Sequence, residues 1–236
     1  LSTMAANMYD KPPKEFNMIG VTGTNGKTTI TYLIHAILKQ REYNVGQIGS
    51  LGIYSNNKWE KSSHTTPESL ELQKTFKDMQ DSRLKSCIME VSSHALQLGR
   101  VKDIDFDGAV FSNLSHEHLD FHNSMENYFQ AKRKLFHMAS GFNVINIDDP
   151  YGQRLADELS NDKHALLITY GINRDADCIA HSINTLENHT EFHLDTPAGN
   201  VKLKTFLPGK YNVYNCLAAA SCAHMLGFEP FEIKAG

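Results

Sequence analysis

Short apolar runs alternate with amphipathic stretches along most of the chain. The apolar runs predict strands over 16–21, 45–48, 86–91, 107–112, 142–147 and 165–169. Between them, apolar residues spaced three and four apart predict helices over 28–39, 67–79, 125–138 and 151–159. Because strands that alternate with helices are joined by right-handed crossovers, the pattern predicts an α/β fold with a mostly parallel sheet flanked by helices.

The pattern changes towards both ends of the chain. Short runs predict a small antiparallel section over 178–183, 191–194 and 201–206, followed by a helix over 212–226. A Gly/Asn-rich, hairpin-like stretch is expected between the strand at 45–48 and Ser63. Residues 1–14 are polar and contain Pro12-Pro13, so we expect a tail or linker there and a folded domain over 15–236. The residues after Pro230 resemble a helix that has barely begun, which suggests a fragment of a longer protein.

Composition and charge exclude several classes of protein. A formal net charge of -4 and a pI near 6.3 lack the basic field of a non-specific nucleic-acid binder. No apolar run approaches the ~20 residues that span a bilayer, and no charged-then-apolar leader opens the chain, so no membrane association is expected. No C-x-x-C pair occurs, which predicts reduced thiols in a cytoplasmic protein at Cys87, Cys178, Cys216 and Cys222.

A glycine-rich turn between the first strand and the first long helix is the strongest chemical signal. It comprises Gly23, Thr24, Asn25, Gly26, Lys27, Thr28 and Thr29. Its glycines allow backbone N–H groups to close around phosphate oxygens at a helix N-terminus. Lys27 can bridge the β- and γ-phosphates, and the Thr28 hydroxyl can bind Mg²⁺. The turn predicts a P-loop-type nucleotide site, although Val21 stands where the general motif has glycine.

Four further residues could carry charge-based chemistry. Glu90 ends a buried strand, where it can hold Mg²⁺ at the crevice or merely cap the strand. His118 and His122 lie four residues apart and could share a helix face, so a zinc site is an alternative for this cluster. Lys132 belongs to a basic run, Lys132-Arg133-Lys134, which by itself suggests a solvated helix face.

Several hydroxyl and amide side chains stand at element boundaries. Thr65 and Thr66 precede a predicted helix, where they can cap it or contact an anionic or sugar ligand. Asn212 and Asn215 can cap the last long helix or pair with an adenine edge, since amides both donate and accept. Asn146 and Asp148 end another strand and are further candidates for nucleotide contacts.

The glycine-rich turn resembles the ATP loop of the Mur ligase family, whose form also lacks the early glycine. Four later segments extend the resemblance in the same order: H-T-T-P-E at 64–68, E-V-S-S-H-A-L at 90–96, N-L-S-H-E-H-L-D at 113–120 and N-I-D-D at 146–149. Their order and spacing are similar to the MurE-type members, which add the third residue of the peptidoglycan peptide. The resemblance runs from about residue 10 to the C-terminus.

This resemblance implies roles for individual residues. Glu90 would bind one Mg²⁺ with Thr28, and His118 a second, with Asp120 nearby as a supporting acid. The family usually has Asp where this chain has Glu117, which leaves the role of that side chain open. Lys132 would be carbamylated, because a carbamate offers oxygens and a negative charge where an ammonium repels metal. Substrate contacts would come from Thr65, Thr66, Ser92 and Arg100, and ATP contacts from the turn with Asn146, Asn212 and Asn215.

The activity implied is ATP- and Mg²⁺-dependent amide formation on UDP-N-acetylmuramoyl-L-alanyl-D-glutamate through an acyl phosphate. Mur ligases have three domains, and this chain resembles the central ATP-binding one, without the domains that bind the uridine nucleotide and the incoming amino acid. We expect a cytoplasmic monomer. The alternatives are another ligase of the superfamily, such as cyanophycin or folylpolyglutamate synthetase, and a non-ligating ATP-binding module. The identity of the added amine, lysine or meso-diaminopimelate, is left open.

Overall fold

A computed structural model describes residues 1–9, 16–41 and 44–236 of the chain. Within these ranges the strands, numbered β1 to β11, are Asn17–Thr22, Val45–Gly49, Gly52–Ser55, Lys58–Glu60, Ser86–Glu90, Phe106–Phe111, Ala139–Asn146, Leu166–Gly171, Cys178–Thr185, Thr190–Thr196 and Gly199–Thr205. The helices, numbered α1 to α9, are Ser2–Met8, Lys27–Lys39, Ser69–Asp81, Ser93–Gln97, Leu119–His122, Met125–Met138, Pro150–Leu159, Lys210–Met225 and Pro230–Ala235.

All the described strands form one mixed sheet in the order β11-β10-β9-β8-β7-β6-β1-β5-β2-β3-β4. Pairing is parallel from β2 through β5, β1, β6, β7 and β8 to β9. Antiparallel hairpins extend both edges, β9-β10-β11 at one and β2-β3-β4 at the other. The mostly parallel sheet and the antiparallel section in the C-terminal third are therefore confirmed. The hairpin-like stretch before Ser63 forms the second antiparallel edge.

Helices cover both faces of the sheet, because the central strands carry apolar side chains on both sides. Along β1, Met18 belongs to one core, while Ile19 and Val21 belong to the other. Helices α2 and α8 pack on one face through Ile30, Ile34, Leu38, Leu217 and Ala220. Helices α3, α4, α6 and α7 pack on the opposite face through Leu72, Phe76, Leu96, Leu135 and Leu155.

The first residues differ from the expected tail. Residues 2–8 form helix α1, which buries Ala5 and Ala6 and packs against α3. The Thr3 hydroxyl also hydrogen-bonds the Asp103 carboxylate at 3.1–3.2 Å. A seven-residue helix of about two turns, with two buried alanines, is too short for apolar periodicity to show, so the sequence pattern missed it. Pro12-Pro13 and the expected boundary at residue 15 lie outside the described residues.

Element boundaries were predicted within a few residues elsewhere, but two short helices were missed. α4 and α5 contain five and four residues, respectively, and lie in the segments that follow β5 and β6. In the described part of the chain, no helix has the length and apolar character needed to cross a bilayer. The four cysteines are free thiols, as expected, and Cys87, Cys178 and Cys222 are fully buried.

One half-buried histidine, His35, connects α2 to the β3–β4 hairpin. The His35 ring packs edge-on against Tyr54, with ring centroids 5.0 Å apart. Burial, assisted by the neighbouring charge of Lys39, lowers the pKa of His35 to about 4. The ring is therefore neutral in the folded chain at neutral pH.

This pKa predicts a pH dependence of stability. The unfolded chain takes up a proton at His35 as the pH falls through about 6.5, whereas the folded chain does not until about pH 4. The folded state therefore loses stability over that window. Relative to the variant His35→Phe, which keeps the ring contact, the wild type should lose about 2 kcal/mol more between pH 7 and 4.5. Urea unfolding of both proteins at the two pH values measures this. Equal losses of unfolding free energy in the two proteins would contradict the lowered pKa of His35.

Candidate active site

A cavity of about 480 Å³ opens where β1, β2 and β5 end at the carboxyl edge of the sheet. Ligands of open α/β sheets bind at this edge. The lining comes from the glycine-rich turn, the carboxyl ends of the neighbouring strands and the loops that follow them. It comprises Thr24, Asn25, Gly26, Lys27, Thr28, Ser50, His64, Thr65, Thr66, Glu90, Ser92, His94, Leu98, Arg100 and His118.

The glycine-rich turn adopts a conformation that needs its glycines. Gly23 and Gly26 have φ of +149° and +89°, a region that side chains strongly disfavour. Gly26 is the N-cap residue of α2, so the unpaired N–H groups of the first helical turn point towards the cavity. A Cβ atom at Gly26 would also collide with the Asn215 side chain. The turn therefore has the geometry of an anion site at a helix N-terminus.

The segment after β6 holds the turn in place. The Thr24 N–H donates to the carbonyl of Asn113 at 2.8 Å, and the Asn25 N–H donates to the side-chain oxygen of Asn113 at 3.0 Å. The Ser112 hydroxyl donates to the carbonyl of Asn25 at 2.6 Å. These bonds fix the backbone of the turn without any ligand, which reduces the entropy lost on binding.

Lys27 folds back over the turn. Its ammonium donates to the carbonyls of Gly23 and Thr24 at 2.9 and 2.8 Å. Burial lowers the pKa of Lys27, and the carboxylates of Glu90 and Glu117 partly oppose this effect. A phosphate bound on the turn would offer this ammonium a stronger, charged acceptor than the two carbonyls.

Glu90 and Thr28 form a compact oxygen pair. The Glu90 side chain, 1% exposed, accepts hydrogen bonds from the Thr28 hydroxyl at 3.0 Å and from the Ser50 N–H at 2.9 Å. Gly49 allows this approach, because a Cβ there would collide with the carboxylate. A carboxylate and a hydroxyl beside a phosphate site fit Mg²⁺, which takes few protein ligands and completes its shell with phosphates and water.

The histidine segment is arranged differently from a zinc site. His118 precedes α5 with a left-handed backbone, φ 54°, and its half-exposed ring faces the cavity. His122 is buried, hydrogen-bonded to the Ser93 hydroxyl at 2.9 Å and stacked on Tyr128. In the described ranges, no three His, Cys, Asp or Glu side chains converge as a metal site. The zinc alternative is therefore not supported.

Lys132 is buried, so the alternative of a solvated basic face is wrong for this residue. It is 1% exposed, and its Nζ donates to the carbonyl of Gly23 at 2.8 Å, the same oxygen that Lys27 contacts. Burial, reinforced by the charge of Lys27, holds the pKa of Lys132 well below its usual range. The side chains of its neighbours point outwards: Arg133 donates a hydrogen bond to Glu158, and Lys134 donates one to Gln97.

The residues predicted to contact the substrate meet on one wall of the cavity. The Thr66 hydroxyl donates to the carbonyl of Glu90 and accepts from the Ser92 N–H, while the Ser92 hydroxyl caps α4. Arg100 donates to the carbonyl of Thr66 and forms an ion pair with Glu68. The Arg100 Nε atom is buried and has no partner among the described residues. Neither Thr65 nor Thr66 caps α3, whose N-cap residue is Glu68.

The predicted nucleotide contacts divide into two groups. Asn215 lies against Gly26 and donates to the Asn212 side chain at 2.9 Å, which places both at the entrance of the glycine-rich turn. Neither caps α8, whose N-cap is Gly209. Asn146 lies away from the cavity lining, donates to the carbonyl of Ser112 and accepts from the Asp148 N–H. Its contact with a nucleotide remains a prediction.

Four lining residues were not assigned from sequence: Ser50, His64, His94 and Leu98. Ser50 follows β2 at the carboxyl edge, so its position after an apolar run was a usable signal. His64 and His94 stand inside the segments 64–68 and 90–96 but had no specific role. The His94 ring lies 5.1 Å from that of His118, and burial, followed by the charges of His118 and Arg100, lowers the pKa of His94.

A glycine-rich turn between β1 and α2, facing a buried carboxylate on β5, has the geometry of the phosphate-loop class of α/β domains. The family can be stated as well. Residues 21–223 match the model of the Mur ligase middle domain, and the chain belongs to this family.

Individual relatives agree with this assignment. The chain is 44% identical over 236 residues to UDP-N-acetylmuramoyl-L-alanyl-D-glutamate--2,6-diaminopimelate ligase 1 of Clostridium acetobutylicum, covering 100% of this chain and 48% of that protein. It is 42% identical over 233 residues to the corresponding ligase of Alkaliphilus metalliredigens, covering 99% of this chain and 47% of that protein. A solved structure of such a ligase superimposes with a TM-score of 0.87 at 30% identity, covering 97% and 47%. The chain thus spans about half the length of these relatives.

Proposed function

We propose that this chain is the ATP-binding part of a ligase that adds 2,6-diaminopimelate, in its meso form, to UDP-N-acetylmuramoyl-L-alanyl-D-glutamate. The observation that carries the proposal is the shared cavity in which the phosphate turn, the Thr28–Glu90 oxygen pair and the Thr66–Ser92–Arg100 wall face one another. Amide formation through an acyl phosphate requires a triphosphate and a carboxylate to meet in such a space. The relatives named above carry this substrate in their names.

The turn would hold the ATP phosphates. Backbone N–H groups of 26–29, at the N-terminus of α2, would donate to phosphate oxygens, and Lys27 would exchange its carbonyl partners for the β- and γ-phosphates. Asn212 and Asn215, beside Gly26, would face the adenine. Thr28 and Glu90 would hold Mg²⁺, which when bound neutralises phosphate charge and polarises the transferred group.

The opposite wall would orient the acceptor. Arg100 lines that wall, paired with Glu68, and its Nε, which has no partner among the described residues, leaves donor capacity for a carboxylate. The Thr65 and Ser92 hydroxyls line the same wall and can donate to the muramoyl peptide. Holding both reactants in one cavity raises their effective concentration, which is the main source of catalysis in phosphoryl transfer.

We further propose that Lys132 is carbamylated. Only a neutral amine attacks CO₂, and burial beside Lys27 favours the neutral form. The adduct would exchange a buried amine for a carboxylate-like anion next to the ammonium of Lys27, beside the same Tyr128 ring that the His118 imidazole contacts. It would then join His118 in placing a second Mg²⁺ or the γ-phosphate. The Asp120 carboxylate, next to the His94 and His122 rings, would support this side of the site.

The proposed reaction has two steps. A carboxylate oxygen of the D-glutamyl residue attacks the γ-phosphorus, the bond to the bridging oxygen breaks, and ADP leaves. The free amine of diaminopimelate then attacks the acyl carbon, the carbon–oxygen bond to phosphate breaks, and the amine gives up a proton as phosphate leaves. Lys27 and Arg100 would hold the two anionic reactants together. We propose a cytoplasmic monomer that uses no nucleic acid or membrane.

Hydroxylamine trapping tests this function on the 236-residue chain. With ATP and Mg²⁺, the chain should release phosphate and form a hydroxamate only when UDP-N-acetylmuramoyl-L-alanyl-D-glutamate is present. Because relatives are about twice as long, we expect low rates and poor amide formation from this part alone. Phosphate release that ignores the muramoyl dipeptide would instead identify a non-ligating ATP-binding module. A panel with folate and cyanophycin acceptors, expected to give no hydroxamate, separates the related ligases.

A further inference from the structure

Tyr128, on helix α6, contacts three parts of the site at once. The side chain is 1% exposed, and its hydroxyl and ring have different partners. We propose that Tyr128 is a positioning residue whose hydroxyl fixes the phosphate turn to α6 and whose ring forms the wall that holds Lys132. This inference rests on the proposed function, since it assigns Tyr128 a role in that same site.

The hydroxyl connects α6 to the phosphate turn. It lies 3.2 Å from the Thr24 hydroxyl, which also accepts from the Ser115 N–H at 3.0 Å and lies 3.4 Å from the Ser115 carbonyl. The Thr24 side chain is thus held between the segment after β6 and helix α6. Because Thr24 is buried at 6% exposure, water cannot simply replace a lost partner. Removing the phenol should therefore loosen the turn.

The Tyr128 ring contacts Lys132 and the two histidines of the segment after β6. The Nζ of Lys132 lies 4.6 Å from the Tyr128 ring centroid, with the carbonyl of Gly23 as its hydrogen-bond acceptor. His122 stacks on the ring at 4.9 Å, and His118 meets it edge-on at 6.1 Å. Tyr128 and Lys132 are one helical turn apart, so both side chains leave α6 on the same face. The ring closes off space that water would otherwise fill beside the amine.

Hydroxyl and ring can therefore be tested separately. Tyr128→Phe removes the hydrogen bond to Thr24 and keeps the aromatic ring beside Lys132. Tyr128→Leu removes both the hydrogen bond and the ring. Affinity for a non-hydrolysable ATP analogue with Mg²⁺ reports on the turn. The carbamate signal in ¹³C NMR, recorded with ¹³C-bicarbonate, reports on Lys132. Tyr170→Phe is the matched control, because its buried hydroxyl donates to the carbonyl of Phe111 at 3.0 Å and does not contact the turn.

We expect Tyr128→Phe to weaken analogue binding by about threefold to tenfold, with an unchanged carbamate signal. Tyr128→Leu should show the same loss together with a carbamate signal reduced at least about fivefold, since the ring that packs against Lys132 beside the Gly23 carbonyl is lost. Tyr170→Phe should bind the analogue like the wild type. Unchanged affinity in Tyr128→Phe, or an equal loss in Tyr170→Phe, overturns the role of the hydroxyl.

A measurement on the wild type covers the case in which Tyr128→Leu does not fold. The ring current of Tyr128 should shift the ε-methylene protons of Lys132 upfield, and an unshifted resonance overturns the role of the ring. A result that contradicts the proposed function would differ from these outcomes. A wild-type protein without any carbamate signal contradicts the modification of Lys132, whereas a turn loosened in Tyr128→Phe would still support the hydroxyl.

Discussion

Replacing Glu90 by Gln is expected to weaken Mg²⁺-dependent binding of an ATP analogue by on the order of 100-fold. The amide keeps the size of the side chain and an oxygen for the Ser50 N–H, which lies 2.9 Å from the carboxylate. It loses the negative charge that a divalent cation requires beside Thr28. The change therefore acts on the metal site and leaves the surrounding backbone in place.

Titration of the analogue at several Mg²⁺ concentrations measures this effect. Wild-type affinity should rise steeply with Mg²⁺, and the affinity of Glu90→Gln should be low and nearly independent of it. Glu60→Gln, an exposed change on β4 away from the cavity, is the matched control and should behave like the wild type. A Glu90→Gln protein with the full Mg²⁺ dependence would remove Glu90 from the metal site.

Replacing Lys132 by Met should abolish the ¹³C carbamate signal and lower hydroxamate formation by about 100- to 1,000-fold. Methionine fills similar volume but cannot react with CO₂. Stability should not suffer, because the change removes a buried amine and the carbonyl of Gly23 keeps Lys27 as a donor. The free energy of unfolding at pH 7 is therefore expected to equal or exceed that of the wild type.

Lys134→Met gives the matched control for this experiment. Lys134 lies two residues further along α6 and donates to the exposed Gln97 side chain, so its loss should change neither signal. Equal effects of the two substitutions would point to the charge of the helix and not to a modified lysine. Wild-type hydroxamate formation by Lys132→Met would show that no carbamate is needed for the acyl phosphate.

Local sequence patterns were sufficient to predict the parallel sheet, the glycine-rich turn and the position of Glu90. Apolar runs separated by amphipathic helices predict a parallel sheet, since each strand must bury both faces. The turn at 23–29 is read from adjacent residues, because its chemistry depends on glycines, a lysine and a hydroxyl in immediate succession. Glu90 could be placed at the crevice because strands of a parallel sheet end at one edge.

Residues from distant segments, by contrast, could not be placed without the three-dimensional fold. The sequence alone presents Lys132 as part of a basic run, and only the packing of α6 under the turn buries it beside Gly23. Likewise, nothing near Tyr128 in the sequence indicates its contact with Thr24, 104 residues earlier. Such contacts depend on helix rotation and crossover geometry.

The sequence by itself determined the class of fold and the glycine-rich turn, because both follow from short-range spacing, and it placed Glu90 at the carboxyl end of a buried strand. The tertiary structure alone decided which side chains are buried in the site: Lys132 rather than Arg133 or Lys134, His122 hydrogen-bonded to Ser93, and Tyr128, whose ring contacts both Lys132 and His122. The physical reason is that burial, and the charge state it imposes, depends on neighbours supplied by other strands and helices.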